Sequence, residues 1–223
     1  MLVDLVRNDT EKESGLEAYL RNMMSVMAFD VERRDRVITQ TELSQYTLWL
    51  AKAVTEYMFY FIGHGDPPPQ GAARYHAVSG AHVVHMLRDL LQDIEVGYYN
   101  IPAEILETEH TSLDNLGEAA FRKWVSERIQ LAQQYFSTGR DYISRVKNLR
   151  LRLAGFAYLA RFEWMAKTIE QDQFCLRPAY PERKCFKAVV WMTWSVIRSL
   201  LNIPSKKYKY TETIAFKDHC EER

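Results

Sequence analysis

Glycine and proline are scarce, nine and seven in 223 residues, and no segment shows the short alternating runs that mark strands. This excludes sandwiches and barrels and leaves helical periodicity as the ruling pattern. Cysteine is scarcer still. Cys175, Cys185 and Cys220 lie far apart, with neither metal-ligand spacing nor an even-numbered framework. Such a set fits a reducing, cytoplasmic compartment better than a disulfide-stapled secreted fold. Net charge is absent: Lys+Arg and Asp+Glu are 29 each, so the chain as a whole carries no electrostatic footprint for nucleic acid or an anionic membrane. The first residues are rich in Asp, Arg, Asn and Glu, which excludes a signal-peptide core there. The longest uncharged run of note, Ala188 to Ile197, is too short to span a bilayer. It reads as a buried core helix, with contact at a membrane surface as the alternative. The basic tail Lys206-Lys207-Tyr208-Lys209-Tyr210 reads as solvated.

Apolar residues make up 47% of the chain and aromatics 13%, ample for a core. Ser14 to Met27 reads as a helix, and Thr39-Gln40-Thr41-Glu42 supplies N-cap chemistry for a second that runs to about Ile62. Gly63 to Gly71, with three successive prolines, is a breaker. The next helix stops at Gly97, and Tyr98 to Pro102 reads as a loop, since Pro102 biases Ile101 away from helix. Further helices are expected at about 113–137, 139–149, 150–171 and 182–202. The expectation is an all-α bundle, one domain over residues 1–223.

Within this frame the stretch Ala81 to Asp93 carries the chemistry. Projected at about 100° per residue, with His82 at zero, His85 falls near 300°, Asp89 near 340° and Asp93 near 20°. All four share one stripe, while Val84, Leu87, Leu90, Leu91 and Ile94 spread over the side that packs. Buried carboxylates are costly unless paired or bound to metal. Asp89 and Asp93, at i and i+4, therefore suit a polar cavity holding Mg²⁺, which takes a few carboxylate oxygens together with phosphate oxygens. His82 and His85 have the spacing to ligate a metal but read better as donors to Asp89 or to phosphate. Glu56 lies in reach at the same level. Arg88 projects away from the stripe and reads as a salt bridge to another helix, or as a substrate contact. Arg161 and Glu163 read as surface or inter-helix pairs.

The block Leu87-Arg88-Asp89-Leu90-Leu91-Gln92-Asp93, followed by Gly97 and Ile101-Pro102, resembles the second aspartate-rich motif of the squalene/phytoene synthase family, L-R-D-x-x-E-D, then a glycine, then Y-L-P. Phe29-Asp30, Thr41 to Tyr46, Leu50 to Thr55 and Ile169 to Phe174 resemble further family segments, so the likeness covers most of the chain. The resemblance implies an isoprenoid-synthase-like helical bundle, represented by the C-terminal two-thirds or so of the family fold. It also implies Mg²⁺-dependent head-to-head condensation of two prenyl diphosphates in isoprenoid or carotenoid biosynthesis. In that chemistry one substrate loses diphosphate and its carbocation is captured by the other's double bond. Asp89 and Asp93 would hold the metal through the substrate diphosphate, with Tyr46 in the cavity wall. Leu50, Val54 and Met58 would line the prenyl channel, although core packing explains their spacing equally well.

Departures from the pattern are equally specific. The family's first aspartate-rich motif has no counterpart here; Asp9 and Glu13 have the spacing but sit in a charged stretch and read as solvated. The expectation is an N-terminally truncated member, one completed by a partner chain that supplies the motif, or one whose site has been repurposed. Lys52 and Thr55 replace small glycines, His82 and His85 replace amides, Gln92 replaces a glutamate, and Val96 and Tyr98 replace basic residues. A non-catalytic isoprenoid-binding homologue is the alternative reading.

Overall fold

A computed structural model describes residues 6–9, 14–63, 68–69, 71–108 and 118–201. Among the described residues, seven helices follow one another from Gly15 onward: α1 (Gly15–Glu32), α2 (Gln40–Phe61), α3 (His76–Glu95), the short α4 (Ala103–Thr108), α5 (Glu118–Ser144), α6 (Leu149–Gln171) and α7 (Phe186–Leu200). Single 3₁₀ turns, Ala72–Tyr75 and Pro181–Lys184, lead into α3 and α7. The all-α expectation holds. The breaker's residues 64–67 and 70, the stretch 109–117, Glu13, Cys220 and the basic tail lie outside the described residues.

Local chemistry starts the helices where the sequence says it should. Ser14 caps α1 by accepting from the Glu17 amide at 3.0 Å. At α2 the box is reciprocal: Thr39 Oγ1 accepts from the Glu42 amide at 3.2 Å, and Glu42 Oε2 accepts from the Thr39 amide at 2.8 Å. Asn148 caps α6 through the Leu151 amide at 3.1 Å. Each cap satisfies one donor that a helix start leaves orphaned.

Two expectations about elements fail. Tyr98–Tyr99 is not loop but a two-residue strand, β2, paired parallel with β1 (Arg36–Val37). Strands this short carry no alternation for a sequence to display. What places them together is Gly97, at φ 86°, whose carbonyl accepts from the Asp35 amide at 2.8 Å. The pairing ties the end of α1 to the end of α3. Nor do the expected helices 113–137 and 139–149 part at 138: α5 runs on through Gly139 to Ser144. A β-carbon at Gly139 would lie 2.6 Å from the Ala77 amide nitrogen, and one at Gly80 would lie 2.9 Å from the Ala132 carbonyl oxygen. The two glycines let α3 and α5 cross backbone to backbone.

One apolar cluster joins α3, α5 and α6 around Val84, Leu87, Leu90, Val125, Ile129, Phe156, Leu159 and Ile169. The packing side expected for α3 is the one observed. A second, smaller cluster of Val26, Phe29, Ile38, Leu43, Tyr46 and Met86 joins α1, α2 and α3. The run Ala188–Ile197 is no buried core helix: in α7 only Ala188 and Ser199 are fully buried, because α7 is covered by α5 and α6 on one side alone.

Gly→Ala in a helix interior ordinarily stabilises by up to about 1 kcal/mol. Here the sign reverses, because the new methyl meets backbone that cannot swing aside. Gly139→Ala is expected to destabilise by about 1–3 kcal/mol in urea unfolding, whereas a neutral or stabilised variant would contradict the crossing.

Candidate functional site

The site is assembled where α1, α2, α3 and β2 meet, and a cation lies at its centre. Arg33 follows Asp30 by one turn of α1 and is 6% exposed. Its Nε donates to Asp30 Oδ1 at 2.8 Å, and its Nη1 donates to Asn100 Oδ1 at 2.6 Å. Its guanidinium carbon stands 4.6 Å from the ring centre of Tyr46 and 4.9 Å from that of Tyr98. Asn100, 1% exposed, passes the connection on: its Nδ2 donates to Asp93 Oδ2 at 2.9 Å. Tyr46 OH donates to Asp30 Oδ2 at 3.2 Å. One unbroken line of hydrogen bonds thus runs from Tyr46 through Asp30, Arg33 and Asn100 to Asp93.

The two aspartates of α3 sit in different electrostatic settings. Asp89 accepts from Arg88 at 2.6 Å (Nε to Oδ1) and 2.5 Å (Nη2 to Oδ2), and His85 Nε2 stands 2.8 Å from its Oδ2. Burial alone would raise its pKa, but the bonds and charge of Arg88 and His85 prevail and hold the carboxyl below its ordinary 3.8. Asp93 goes the other way. Burial and then the charge of Asp89 raise it above 3.8, against the pull of Arg33, His85 and Arg88. The pair is thus short of positive charge at Asp93.

The histidines part company. His85 contacts Asp89, as expected of a donor to that carboxylate, with about half its side chain exposed. His82 does not join the polar stripe: it is 5% exposed, its ring 5.2 Å from that of Tyr46. Its Nδ1 lies 3.0 Å from Thr47 Oγ1, which spends its own proton on the Leu43 carbonyl at 2.8 Å. Nδ1 must therefore carry the hydrogen and donate. Burial, with the nearby charges of His85, Arg33 and Arg128, pushes His82 down to about 3, so it is neutral. Tyr46 is pushed up to about 12 by burial and by Asp30, so its hydroxyl keeps its proton.

Other expected placements differ in detail. Arg88 does not bridge to another helix; its long side chain curls onto the neighbouring carboxylate instead. Glu56 faces Arg74 at 2.5 Å and Tyr75 OH at 2.9 Å and is not held by the histidines. Glu163 pairs with Arg140 between α5 and α6, and Arg161 lies over Phe162. Asp9 is not simply solvated, since it accepts from Ser14. Leu50 packs on the small cluster, whereas Met58 packs on the large one and lines a cavity of about 40 Å³ with Thr55, Phe59, Arg74 and Tyr142. Val54 is half buried. Among the described residues, no three His, Cys, Asp or Glu side chains gather closely enough to enclose a metal. Carboxylate oxygens are nonetheless the donors that Mg²⁺ takes, and a cation between Asp89 and Asp93 would relieve the repulsion that lifts Asp93.

Sequence reasoning missed Arg33 and Asn100. The i, i+3 spacing of Asp30 and Arg33 was a usable signal; Asn100, in the segment after Gly97, had none.

The two carboxylates should respond oppositely to neutralisation. At pH 7, Asp89→Asn is expected to lose about 1 kcal/mol in urea unfolding, a charge-assisted value discounted for its partial exposure. Asp93→Asn, which keeps an acceptor for Asn100, should be neutral or stabilising. A carboxyl lowered in the folded state contributes stability above its unfolded pKa and loses it as the proton binds. The Asp89→Asn deficit should therefore shrink as pH falls below 3.8. Equal losses for both variants would contradict this division.

The family model for squalene/phytoene synthases matches residues 8–186. The fold is similar to the crystal structure of the squalene synthase HpnC from Alicyclobacillus acidocaldarius, with a TM-score of 0.61 at 19% identity, over 73% of this chain and 62% of that one. The chain thus spans less than two-thirds of the length of that relative. No curated protein matches at a significant level. The matched span includes all four elements that build the site, and the chain belongs to the squalene/phytoene synthase family.

Proposed function

We propose that this chain supplies the second-motif half of a prenyltransferase site for Mg²⁺-dependent head-to-head condensation of two prenyl diphosphates in isoprenoid or carotenoid biosynthesis. The carrying observation is the pair Asp89 and Asp93 on one face of α3, with Asp93 raised by burial and by its neighbour. A carboxylate pair short of positive charge is what a divalent cation and its diphosphate would complete. When bound, the ion would offset the charge that gathers on departing diphosphate. The chain's own residues do the rest. Asn100 fixes one oxygen of Asp93, and Arg33 fixes Asn100. Arg88 and His85 sit against Asp89, where the guanidinium adds positive charge for a diphosphate and the imidazole a hydrogen-bonding edge. Tyr46 keeps its proton and donates it to Asp30, so it serves as a wall and not as a base. Leu50, Val54 and Met58 are proposed for the prenyl side, and His82 as a neutral support for Tyr46.

A second reading is favoured by two observations. Both oxygens of Asp89 are already bonded within the chain. The cavity beside Met58, about 40 Å³, is far below the roughly 300 Å³ at which ligand pockets begin. In this reading the chain binds isoprenoid without turnover, or completes its site with a partner chain carrying the first aspartate-rich motif. A cytoplasmic protein in peripheral contact with membrane suits either reading.

Incubation with farnesyl or geranylgeranyl diphosphate and Mg²⁺ separates them. Catalysis predicts diphosphate release that drops about 100-fold in Asp89→Asn and Asp93→Asn, the scale of a lost electrostatic contact, and that disappears with chelator. Binding of the diphosphate by equilibrium dialysis with no release would end the catalytic reading and leave the second. Neither binding nor release would end both.

A further inference from the structure

The outer face of α1 is an apolar surface that the site leaves unused. Val26 and Phe29 turn inward to the small cluster. With Leu20 at zero and about 100° per residue, Met24 falls near 40°, Met27 near 340° and Val31 near 20°. These four make one stripe, and their steps of 4, 3 and 4 residues are the spacing of a helix-pairing seam. The stripe is open: Met24 is 62% exposed, Met27 56% and Val31 82%. Asp30 and Arg33 project near 280° and 220°, outside it, so the surface stands apart from prenyl transfer. Single exposed apolar side chains are ordinary, but a contiguous stripe marks an interaction site.

Shape selects the occupant. At the start of the stripe lies a groove of about 390 Å³, lined by Val6, Leu16, Leu20 and Met24 together with Asp9, Glu17 and Arg21. The three charged groups are already engaged, Asp9 by Ser14 and Glu17 by Arg21, which leaves the groove an apolar wall to offer. At the far end of the same stripe, about 16 Å along the axis at 1.5 Å per residue, stands Val31, the most exposed of the four. One end is thus a hole and the other a knob. Such a face is complementary to itself when turned end for end, which is the condition for a closed two-fold contact. We propose that α1 pairs antiparallel with α1 of a second copy of this chain. Val31 of each copy enters the groove of the other beside Leu20, and Met24 of each meets Met27 of the other. Charge agrees with this register. Arg21 and Glu32 project near 100° and 120°, on one edge of the stripe, so Arg21 of each copy comes beside Glu32 of the other. Parallel pairing would set Val31 on Val31 and leave both grooves empty.

The test is sedimentation velocity of the full chain over a concentration series. A single helix pair lies at the small end of specific interfaces, so a reversible monomer–dimer equilibrium that shifts with concentration is expected. A charge buried in this seam has no partner, so Met24→Glu, Met27→Lys and Val31→Glu should each weaken the dimer about tenfold or more. All three side chains are exposed in the monomer, so thermal unfolding at low concentration should be unchanged. Met24→Glu and Met27→Lys together in one chain should restore the dimer, because antiparallel packing sets each new carboxylate against the new ammonium of the other copy. A chain that stays monomeric at every concentration would overturn the proposal, as would a dimer indifferent to the single substitutions. A double variant that fails to recover would overturn the antiparallel register. Thermal destabilisation of the single variants in a monomeric background would assign the face to another segment of the same chain instead.

Discussion

The buried guanidinium of Arg33 holds the site together. Taking a cation out of water costs several kcal/mol unless its donors and its charge are met. Arg33 meets both: a carboxylate one turn away on its own helix, an amide carbonyl across the molecule, and the faces of Tyr46 and Tyr98. The partners come from α1, from α2 and from the segment of β2 and Asn100, so the cation is satisfied only when these three are brought together. The small cluster around Phe29 and Ile38 supplies the apolar packing beneath it. Position is the gain: Asp93 is pinned through Asn100, and Tyr46 through Asp30.

The same geometry divides the labour between the two aspartates. They share a face and a spacing, yet Asp89 has a guanidinium laid along it while Asp93 has an amide and a carboxylate neighbour. Asp89 is an ordinary stabilising ion pair. Asp93 is a carboxylate kept in a setting that resists its charge, and unfavourable ionisation of that kind is a mark of functional sites. The folded chain therefore leaves one polar group imperfectly compensated, at the position proposed here for a metal ligand.

What the sequence could disclose followed from the reach of each signal. Helical periodicity and capping are local, so α1, α2, α3 and α6 were legible to within a few residues, and so was the apolar side of α3. Asp89, Asp93 and Tyr46 were legible because motif spacing places them. Partners set by tertiary contact were not. Asn100 has no periodicity, and nothing near His82 says that Thr47 will take its hydrogen. Gly139 reads as the edge of a break between two helices; only the Ala77 backbone, 62 residues earlier, explains why a glycine sits inside one. The run Ala188–Ile197 misled for the opposite reason: apolar content gives the desire to be buried but not what covers the helix.

Room for substrate is set by the departures from the family pattern as much as by the matches. Thr55, read from the sequence resemblance as a replacement for a small glycine, is 5% exposed, and its side chain forms part of the wall of the cavity beside Met58. Arg74 reaches the same cavity from the segment before α3 and is anchored there by Glu56. Two polar side chains in a wall expected to be apolar shorten the space and give it hydrogen-bonding character. Thr55 Oγ1 and Arg74 Nε find no partner among the described residues, so apolar prenyl carbons against them would leave both groups unpaired.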